Sequence, residues 1–274
     1  MKPNQLTYMD FDMNSLVTHH FRTDGINMPW RHLHSQYEIL FVKEGTVVID
    51  SNATTVTVST PTVLVHKPFY LHRANAAEGS AYERYVINIS PELLGKIEAL
   101  IPDFSIFISS QPAVIPLNAA LTEETAKAFE SIHADMKADR KSYALIKIAL
   151  MLLRISEYAI EKGIEAPDTD GYIDKIVRHI SLHYADDIKI DRLADQFFVS
   201  RSKLISDFKK NVGVTIKKFV MFVRISNAQF FLAEGKSITE TAQLCGFYDN
   251  SHFISTFRLL TGMTPREFLK KKDQ

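Results

Sequence analysis

Within its last 85 residues the chain repeats one passage: LISDFKKNVGVTIKKFV (Leu204–Val220) lies over FISTFRLLTGMTPREFL (Phe253–Leu269) at a constant offset of 49. Upstream, Ile190, Ala194 and Phe198 lie over Ile238, Ala242 and Gly246 at an offset of 48, so the two turns differ by one residue. Each copy reads as a short helix, a tight turn and a second helix, the helix-turn-helix plan. Ser237-Ile-Thr-Glu240 is a capping box that opens the first helix of the second copy, and Gly246 falls in its turn. Thr264-Pro265-Arg266-Glu267 opens a final helix with proline at its first position. Thr215–Ala233 between the copies is long enough for one helix of about 28 Å at 1.5 Å per residue.

The repeat extends to the faces left free. In the first copy Leu204, Phe208 and Val212 form a core stripe at i, i+4 and i+8, leaving Ser202, Ile205, Ser206 and Lys209 outward. In the second, Phe253 and Phe257 face inward, and Ser251, Ile254, Ser255 and Arg258 take the outward positions. An isoleucine on a polar face is unusual for mere solvation. Small hydroxyls beside an apolar tip suit close approach to base edges, with Ile against a thymine methyl. Arg201, Lys203, Lys210, Lys217 and Lys218 flank the first face and are placed to hold phosphates.

Charge follows the same division. Residues 171–274 hold 17 Lys+Arg against 11 Asp+Glu, a net of +6, whereas residues 1–170 hold 15 against 21, a net of −6. A basic half joined to an acidic half predicts that one part meets a polyanion and the other does something else.

These residues carry a resemblance. His183-Tyr184-Ala185, Leu193-Ala194, Phe208-Lys209-Lys210, Gly213, Arg224-Ile225, Ile238-Thr239-Glu240-Thr241-Ala242, Gly246-Phe247 and Thr261-Gly262-Met263-Thr264-Pro265-Arg266-Glu267-Phe268 resemble the AraC/XylS family of bacterial transcription regulators over about the last 100 residues. The resemblance implies two helix-turn-helix subdomains joined by a long helix and inserted into successive major grooves, about 34 Å apart on one face of DNA. By position it places DNA contacts on Arg201, Ser202, Lys203, Ile205, Ser206, Lys209 and Lys210, and on Asn250, Ser251, His252, Ile254, Ser255 and Arg258. The chain departs from the family pattern at Lys189, where a capping Thr is usual, and at Phe198, a turn position that is often Gly.

The N-terminal part has another period. Tyr37–Val42, Thr46–Asp50, Thr54–Val58, Thr62–His66 and Arg84–Ile89 are short runs of β-branched and aromatic residues, and from Val17 to about Ile115 the whole pattern is β-like. Leu121–Ala138 and Tyr143–Ile160 then space their apolar residues as helices do. Leu145, Ile148, Leu152 and Ile155 form either a dimer surface or a face buried against the barrel. Gly25-x6-His32-x-His34-x3-Glu38-x6-Gly45, with Pro68, His72 and Asn75, resembles the two cupin motifs. Its first spacing is one residue too long, Tyr70 stands for a usual Gly, and His72 comes one residue early. On one unbroken strand His32, His34 and Glu38 point to one face.

Three uses of that face follow: a metalloenzyme site, a metal sensor built on His32, His34, Glu38 and His72, or a metal-free effector pocket. The pocket is favoured, without cofactor or catalytic residues, and lined by Trp30, His32, His34, Tyr37, Glu38, His72 and Arg84. A small polar effector such as a sugar would suit it.

The expected architecture is a two-domain α+β chain. A cupin or jelly-roll β-barrel (residues 1–116) and a helical pair (117–162) precede a linker (163–171), and an all-α tandem helix-turn-helix domain (172–274) ends it. The expected protein is a cytoplasmic, homodimeric activator that binds double-stranded DNA and RNA polymerase under control of a small effector, and not an enzyme. The alternative is a metal-dependent cupin enzyme or metal sensor fused to a DNA-binding domain. The composition, 46% hydrophobic and 23% charged, excludes a disordered or fibrous chain. One cysteine, Cys245, excludes an internal disulfide or CxxC zinc site. The polar start MKPNQLTYMDFDMN does not read as a signal peptide, and no apolar run has the length of a membrane span.

Overall fold

A computed structural model describes residues 7–10, 16–23, 31–51, 55–70, 72–77, 82–101, 104, 107, 114–164 and 171–272. The chain divides into two compact units, residues 1–6 with 14–170 and residues 7–13 with 171–274. Trp30, the Gly25 start of the cupin-like motif and most of the linker segment lie outside the described residues. No helix among the described residues is long and apolar enough to cross a membrane.

After a short strand β1 (Thr7–Asp10), the first unit is built from β2 (Leu16–Thr23), β3 (Arg31–His34), β4 (Tyr37–Glu44), β5 (Thr46–Ser51), β6 (Thr55–Ser59), β7 (Thr62–His66), β8 (His72–Ala76), β9 (Tyr82–Ile89) and β10 (Val114–Pro116). One sheet includes, in order, β3-β8-β5-β6, and the other runs β10-β7-β4-β9-β2. The two sheets share an interior of Leu40, Val42, Leu64 and Val86 from one side and Val47, Ile49, Val58, Ala74 and Ala76 from the other. Odd-numbered positions of β4 turn the opposite way. Ile39 and Phe41 join a second cluster with Phe129, Ile132, Ile148, Leu152 and Ile155 of the helices that cover this sheet. Burial on both faces is why YEILFV reads as a continuous apolar run and not as an alternation.

Among the described residues, this unit has three helices: α1 (Pro91–Glu98), α2 (Ala119–Lys137) and α3 (Lys141–Glu161). The β-like reading of the segment up to Ile115 fails at α1. Ser90 accepts from Leu93 N and Pro91 takes the first turn, so local capping makes a helix there. Asn118 caps α2 and starts it two residues before Leu121. The helices are clasped by Asp135, whose buried carboxylate meets Arg140 at 2.6 Å and Lys147 at 2.5 Å. Of the two readings open for the α3 stripe, burial holds: Ile148, Leu152 and Ile155 are fully buried and Leu145 packs against the same cluster. The apolar residues that α3 leaves exposed are Tyr143, Ile146, Leu150 and Ile160.

From Gly171 on, the described residues form helices and the turns between them: α4 (Tyr172–Leu182), α5 (Ile190–Gln196), α6 (Arg201–Val212), α7 (Ile216–Ala233), α8 (Ile238–Leu244), α9 (Asn250–Thr261) and α10 (Pro265–Lys272). The sequence repeat returns as a repeat of caps. Gly213 and Gly262 end α6 and α9 in the left-handed region at φ +80° and +79°. Thr215 caps α7, and Thr264 with Glu267 caps α10 reciprocally: Glu267 N donates to Thr264 Oγ1 at 3.3 Å and Thr264 N donates to Glu267 Oε2 at 2.7 Å. Ser237 caps α8, whereas its counterpart Lys189 makes no side-chain capping bond to α5.

Candidate functional site

Two sets of residues carry chemistry, one in each unit. In the helical unit, α6 and α9 each sit on a buried stripe, Leu204, Phe208 and Val212 in one and Phe253, Thr256 and Phe257 in the other. That burial fixes which face is turned out. Ser202, Ile205, Ser206 and Lys209 are exposed on α6, and Asn250, Ser251, His252, Ile254, Ser255 and Arg258 on α9. Ile205 and Ile254 are alike at 39% and 37% exposed, so the two faces present the same apolar tip to the same degree. Each helix begins at a firm cap: Ser200 accepts from Lys203 N, and Asp249 accepts from Ser251 N and His252 N at 3.2 and 2.9 Å. The flanking cations differ in their commitments. Arg201 meets both oxygens of Asp191 at 2.9 Å, and Lys203 meets Asp207 at 2.7 Å, so a phosphate would take these two from an existing partner. Asn250 donates to Thr239 Oγ1 at 2.9 Å, which ties the start of α9 to α8.

Arg224 on α7 braces this arrangement. The residue is 8% exposed, and its guanidinium donates to the carbonyls of Tyr184, Gly246 and Asp186 at 2.7, 2.8 and 2.9 Å. One side chain thereby joins the segment after α4 to the turn between α8 and α9. It appeared in the sequence as a member of the family-like pattern but not as a bracing residue; a lone Arg in an apolar helix stretch was the available signal.

In the barrel, His32, His34, Glu38 and His72 are all buried and bring one ligand atom each to within 4.8 Å of the others. They do not come from one unbroken strand. The chain bends at Ser35–Gln36, β3 pairs with β8, and β4 lies in the other sheet between β7 and β9. Convergence survives because the two sheets face one interior, onto which His32 and His34 look from one wall and Glu38 from the other. His32 stands directly opposite His72 in the β3–β8 register. Glu38 stands opposite His66 in the β4–β7 register, and His66 stacks on His72 with ring centroids 4.0 Å apart. The sequence motif did not include His66; its only sign was its place at the inward end of a wholly buried strand.

Hydrogen bonds decide which nitrogens face inward. His34 Nδ1 lies 2.7 Å from Gln36 O and His72 Nδ1 lies 2.8 Å from Tyr70 O. A carbonyl oxygen only accepts, so each Nδ1 carries a proton and each Nε2 is left to meet Glu38. Those two Nε2 atoms face the Glu38 carboxylate at 3.5 Å. Burial opposes ionisation of Glu38, but the imidazoles of His34 and His72 outweigh it and hold the carboxyl well below its usual range. Burial, then His72, pushes His32 down to about 3, and burial keeps His66 neutral too. The result is a carboxylate with the uncharged His32 and His66 beside it.

The remaining proposed pocket residues separate. Arg84 is half-buried on β9, with its guanidinium carbon 4.8 Å from the centre of the Phe21 ring and 5.6 Å from that of Tyr82. Tyr37 neighbours Glu38 on β4 and so turns to the opposite face, where it packs against the cluster shared with the helices.

Comparison with known proteins bears on both units. A family model described as the AraC-like ligand binding domain matches residues 14–153, and one described as a helix-turn-helix domain matches residues 193–271. The HTH-type transcriptional activator RhaS of Escherichia coli O1:K1 is 24% identical over 253 residues, with 88% of each chain covered. RhaS of Salmonella arizonae is 26% identical over 257 residues at the same coverage. Among solved structures, an apo point variant of ToxT from Vibrio cholerae matches with a TM-score of 0.50 and 13% identity, over 93% of this chain and 97% of that one. That last likeness concerns the fold alone.

Proposed function

The chain belongs to the AraC family of DNA-binding transcription regulators with a ligand-binding domain, and from that premise we propose which residues read DNA and which hold the effector. In this reading α6 and α9 are the recognition helices. Ser202, Ile205 and Ser206, and Ser251, His252, Ile254 and Ser255, approach base edges. Arg201, Lys203, Lys209, Lys210, Asn250 and Arg258 hold the phosphate backbone and set the register. One observation carries the assignment: two helices 49 residues apart expose the same Ser-Ile-Ser-cation face over the same buried stripe, within a segment of net charge +6.

The barrel interior around His32, His34, Glu38, His72 and Arg84 is the effector site, with Trp30 as a further member from the sequence motif. Its histidines serve binding and not turnover. An effector that prefers one arrangement of the two units would shift DNA affinity by its differential affinity for them. RhaS, by its name an activator, supports activation as the outcome. A homodimer, contact with RNA polymerase, residues 163–171 as the linker and a sugar as effector complete the proposal.

The test is selection of binding sites from a random double-stranded DNA library by the full-length chain, followed by salt titration on the selected sequence. A selected consensus and a steep fall in affinity with salt are expected. Ser206→Glu combined with Ser255→Glu should abolish binding without unfolding the protein, because both side chains are exposed. Undiminished binding by that double variant would overturn the choice of recognition faces.

A further inference from the structure

We propose that Arg84 anchors a carboxylate of the effector, and that the barrel takes a sugar acid, a uronate or an aldonate, in preference to a neutral sugar. The proposal names the ligand class of the effector site and to that extent rests on the reading above.

Arg84 is a cation without a counter-charge. Among the described residues it has no ion-pair partner, and its Nε is buried without a hydrogen-bond partner. A charge withdrawn from water is costly unless it is paired, and natural proteins keep few buried donors unsatisfied. Neither Glu83 nor Glu38 serves it. Glu83 adjoins Arg84 on β9 and so turns to the opposite face, where it accepts from His20 at 2.8 Å and from the Tyr85 hydroxyl at 3.1 Å. Glu38 shares the inner face, but the β4–β9 register sets it beside Asn88, four residues along the strand or about 13 Å of backbone. Its oxygens face His34 and His72.

The guanidinium is aimed inward and held there. Tyr82 and Val86, two residues to either side on β9, belong to the interior shared by the two sheets, so Arg84 lies on their face. Its guanidinium carbon stands 4.8 Å from the centre of the Phe21 ring and 5.6 Å from that of Tyr82. Aromatic neighbours steady a planar cation without consuming its N–H donors. Phe21, opposite Arg84 in the β2–β9 register, is 42% exposed, which puts the group at a rim that solvent reaches.

A planar fork of this kind meets a carboxylate through two parallel hydrogen bonds. One guanidinium balances one carboxylate. A phosphate monoester, with about two charges, would leave an excess in an interior that already holds the Glu38 carboxylate. The rest of the inner face offers neutral partners. Thr62 stands in the same row as Arg84, with Val42 of β4 between them, and its buried Oγ1 has no hydrogen-bond partner; nor has Asn88 Oδ1. Sugar hydroxyls both donate to and accept from such groups. One cation among neutral donors and acceptors matches an acid that carries several hydroxyls, whereas a neutral sugar would leave Arg84 unpaired.

The experiment screens the full-length chain by thermal shift and calorimetry against pentoses and hexoses paired with their uronic and aldonic acids, all at equal millimolar concentration. At least one acid is expected to bind more tightly than its neutral parent. That acid should also move the Arg84 Nε–H resonance in a nitrogen-15 NMR spectrum, identified by its absence from Arg84→Met and Arg84→Lys. Arg84→Met keeps bulk between the Phe21 and Tyr82 rings and should weaken the acid about 10- to 100-fold through loss of charge-assisted hydrogen bonds. Near-ultraviolet circular dichroism reports that the variant remains folded. Arg84→Lys keeps the charge without the fork and should recover part of the affinity. Neutral sugars that bind as tightly as their acids, acid binding that survives Arg84→Met, or no binding by any acid overturns the anchor. Binding of neutral sugars alone leaves the effector site itself standing. DNA selection on the same preparation separates this proposal from the regulator reading. Acid binding without a selected sequence refutes the regulator and leaves the anchor, and a selected sequence without acid binding refutes the anchor alone.

Discussion

A Cβ placed on Gly246 would stand 2.3 Å from the carbonyl oxygen of Ala185, and the residue already occupies φ +75°. Both facts demand glycine, one through space and one through backbone sterics. The equivalent turn residue of the first copy is Phe198, at φ +54° and 95% exposed. The two turns of a repeated motif therefore share a left-handed backbone but differ in packing: the second is pressed against the segment after α4, and the first stands in solvent.

Gly246→Ala is accordingly expected to destabilise the helical unit by about 2–4 kcal/mol, because no flexible side chain can yield to the new methyl group. Phe198→Asn should change stability by less than about 1 kcal/mol, since asparagine tolerates the left-handed region and nothing packs on the lost ring. Urea denaturation of the two full-length variants compares these directly; equal losses would contradict the difference in packing.

The contrast also marks where sequence reading succeeds. The helix-turn-helix unit was legible because each of its signals is local: caps, a proline at a first helical turn, glycine at left-handed ends, and a core stripe of period 3.6. The barrel was legible in the strands rich in β-branched and aromatic residues, β4 to β7 and β9. β3 and β8 are four and five residues long and carry histidine and arginine where a strand usually shows β-branched residues. The bend at Ser35–Gln36 also broke the strand assumed to align the motif. The convergence of His32, His34, Glu38 and His72 held because it depends on two sheets facing each other, a long-range fact that spacing along one strand cannot express. His66 reaches the same interior through the β4–β7 register and was invisible for that reason.

Burial of the α3 stripe leads to a second prediction. Ile148 is fully buried against the cluster shared by sheet and helices, while Ile146 is 60% exposed. Ile148→Ala should lower the unfolding free energy of the first unit by about 2–4 kcal/mol through lost burial and a residual cavity. Ile146→Ala should change it by no more than about 0.5 kcal/mol. Thermal melts of dilute protein followed by circular dichroism provide the comparison.

Arg224 supplies a third. Its three carbonyl partners belong to residues 184, 186 and 246, and replacement by methionine keeps bulk but leaves all three without their donor. The expected loss is about 2–4 kcal/mol. Hydrogen exchange should rise first at the backbone of the segment after α4 and the turn at Gly246. Unchanged protection there would show that Arg224 braces nothing.

Acid sensitivity of the second helix-turn-helix follows from its caps. Backbone N–H groups of His252 and Ser251 hold the Asp249 carboxyl below its usual range, and Thr264 does the same for Glu267. A carboxyl with a depressed folded pKa contributes stability above its unfolded value, near 4, and that contribution disappears as pH falls through the folded value. Stability of this unit should therefore decline below about pH 4. Asp249→Asn keeps the cap and removes the titration. The variant should match the wild type near neutrality and show a flatter acid limb in fluorescence-monitored unfolding.

The two isoleucines on the proposed recognition faces test whether apolar contact or charge sets sequence preference. Lys209 and Arg258 occupy matching exposed positions at the outer edge of each face, and a phosphate contact from either would release counterions. Lys209→Ala and Arg258→Ala should each weaken binding to all DNA alike and reduce the slope of log affinity against log salt by about 1. Ile205→Ala and Ile254→Ala remove only methyl and methylene groups from a partly exposed tip, so the salt slope should stay as it is. Affinity for the selected site should fall by about 1–3 kcal/mol if each tip meets a thymine methyl, while affinity for unrelated DNA should hold. Binding measured at several salt concentrations for the four variants yields both quantities. A change of slope on loss of isoleucine, or uniform weakening on all sequences, would place these residues outside the grooves and move recognition to another face of the helices.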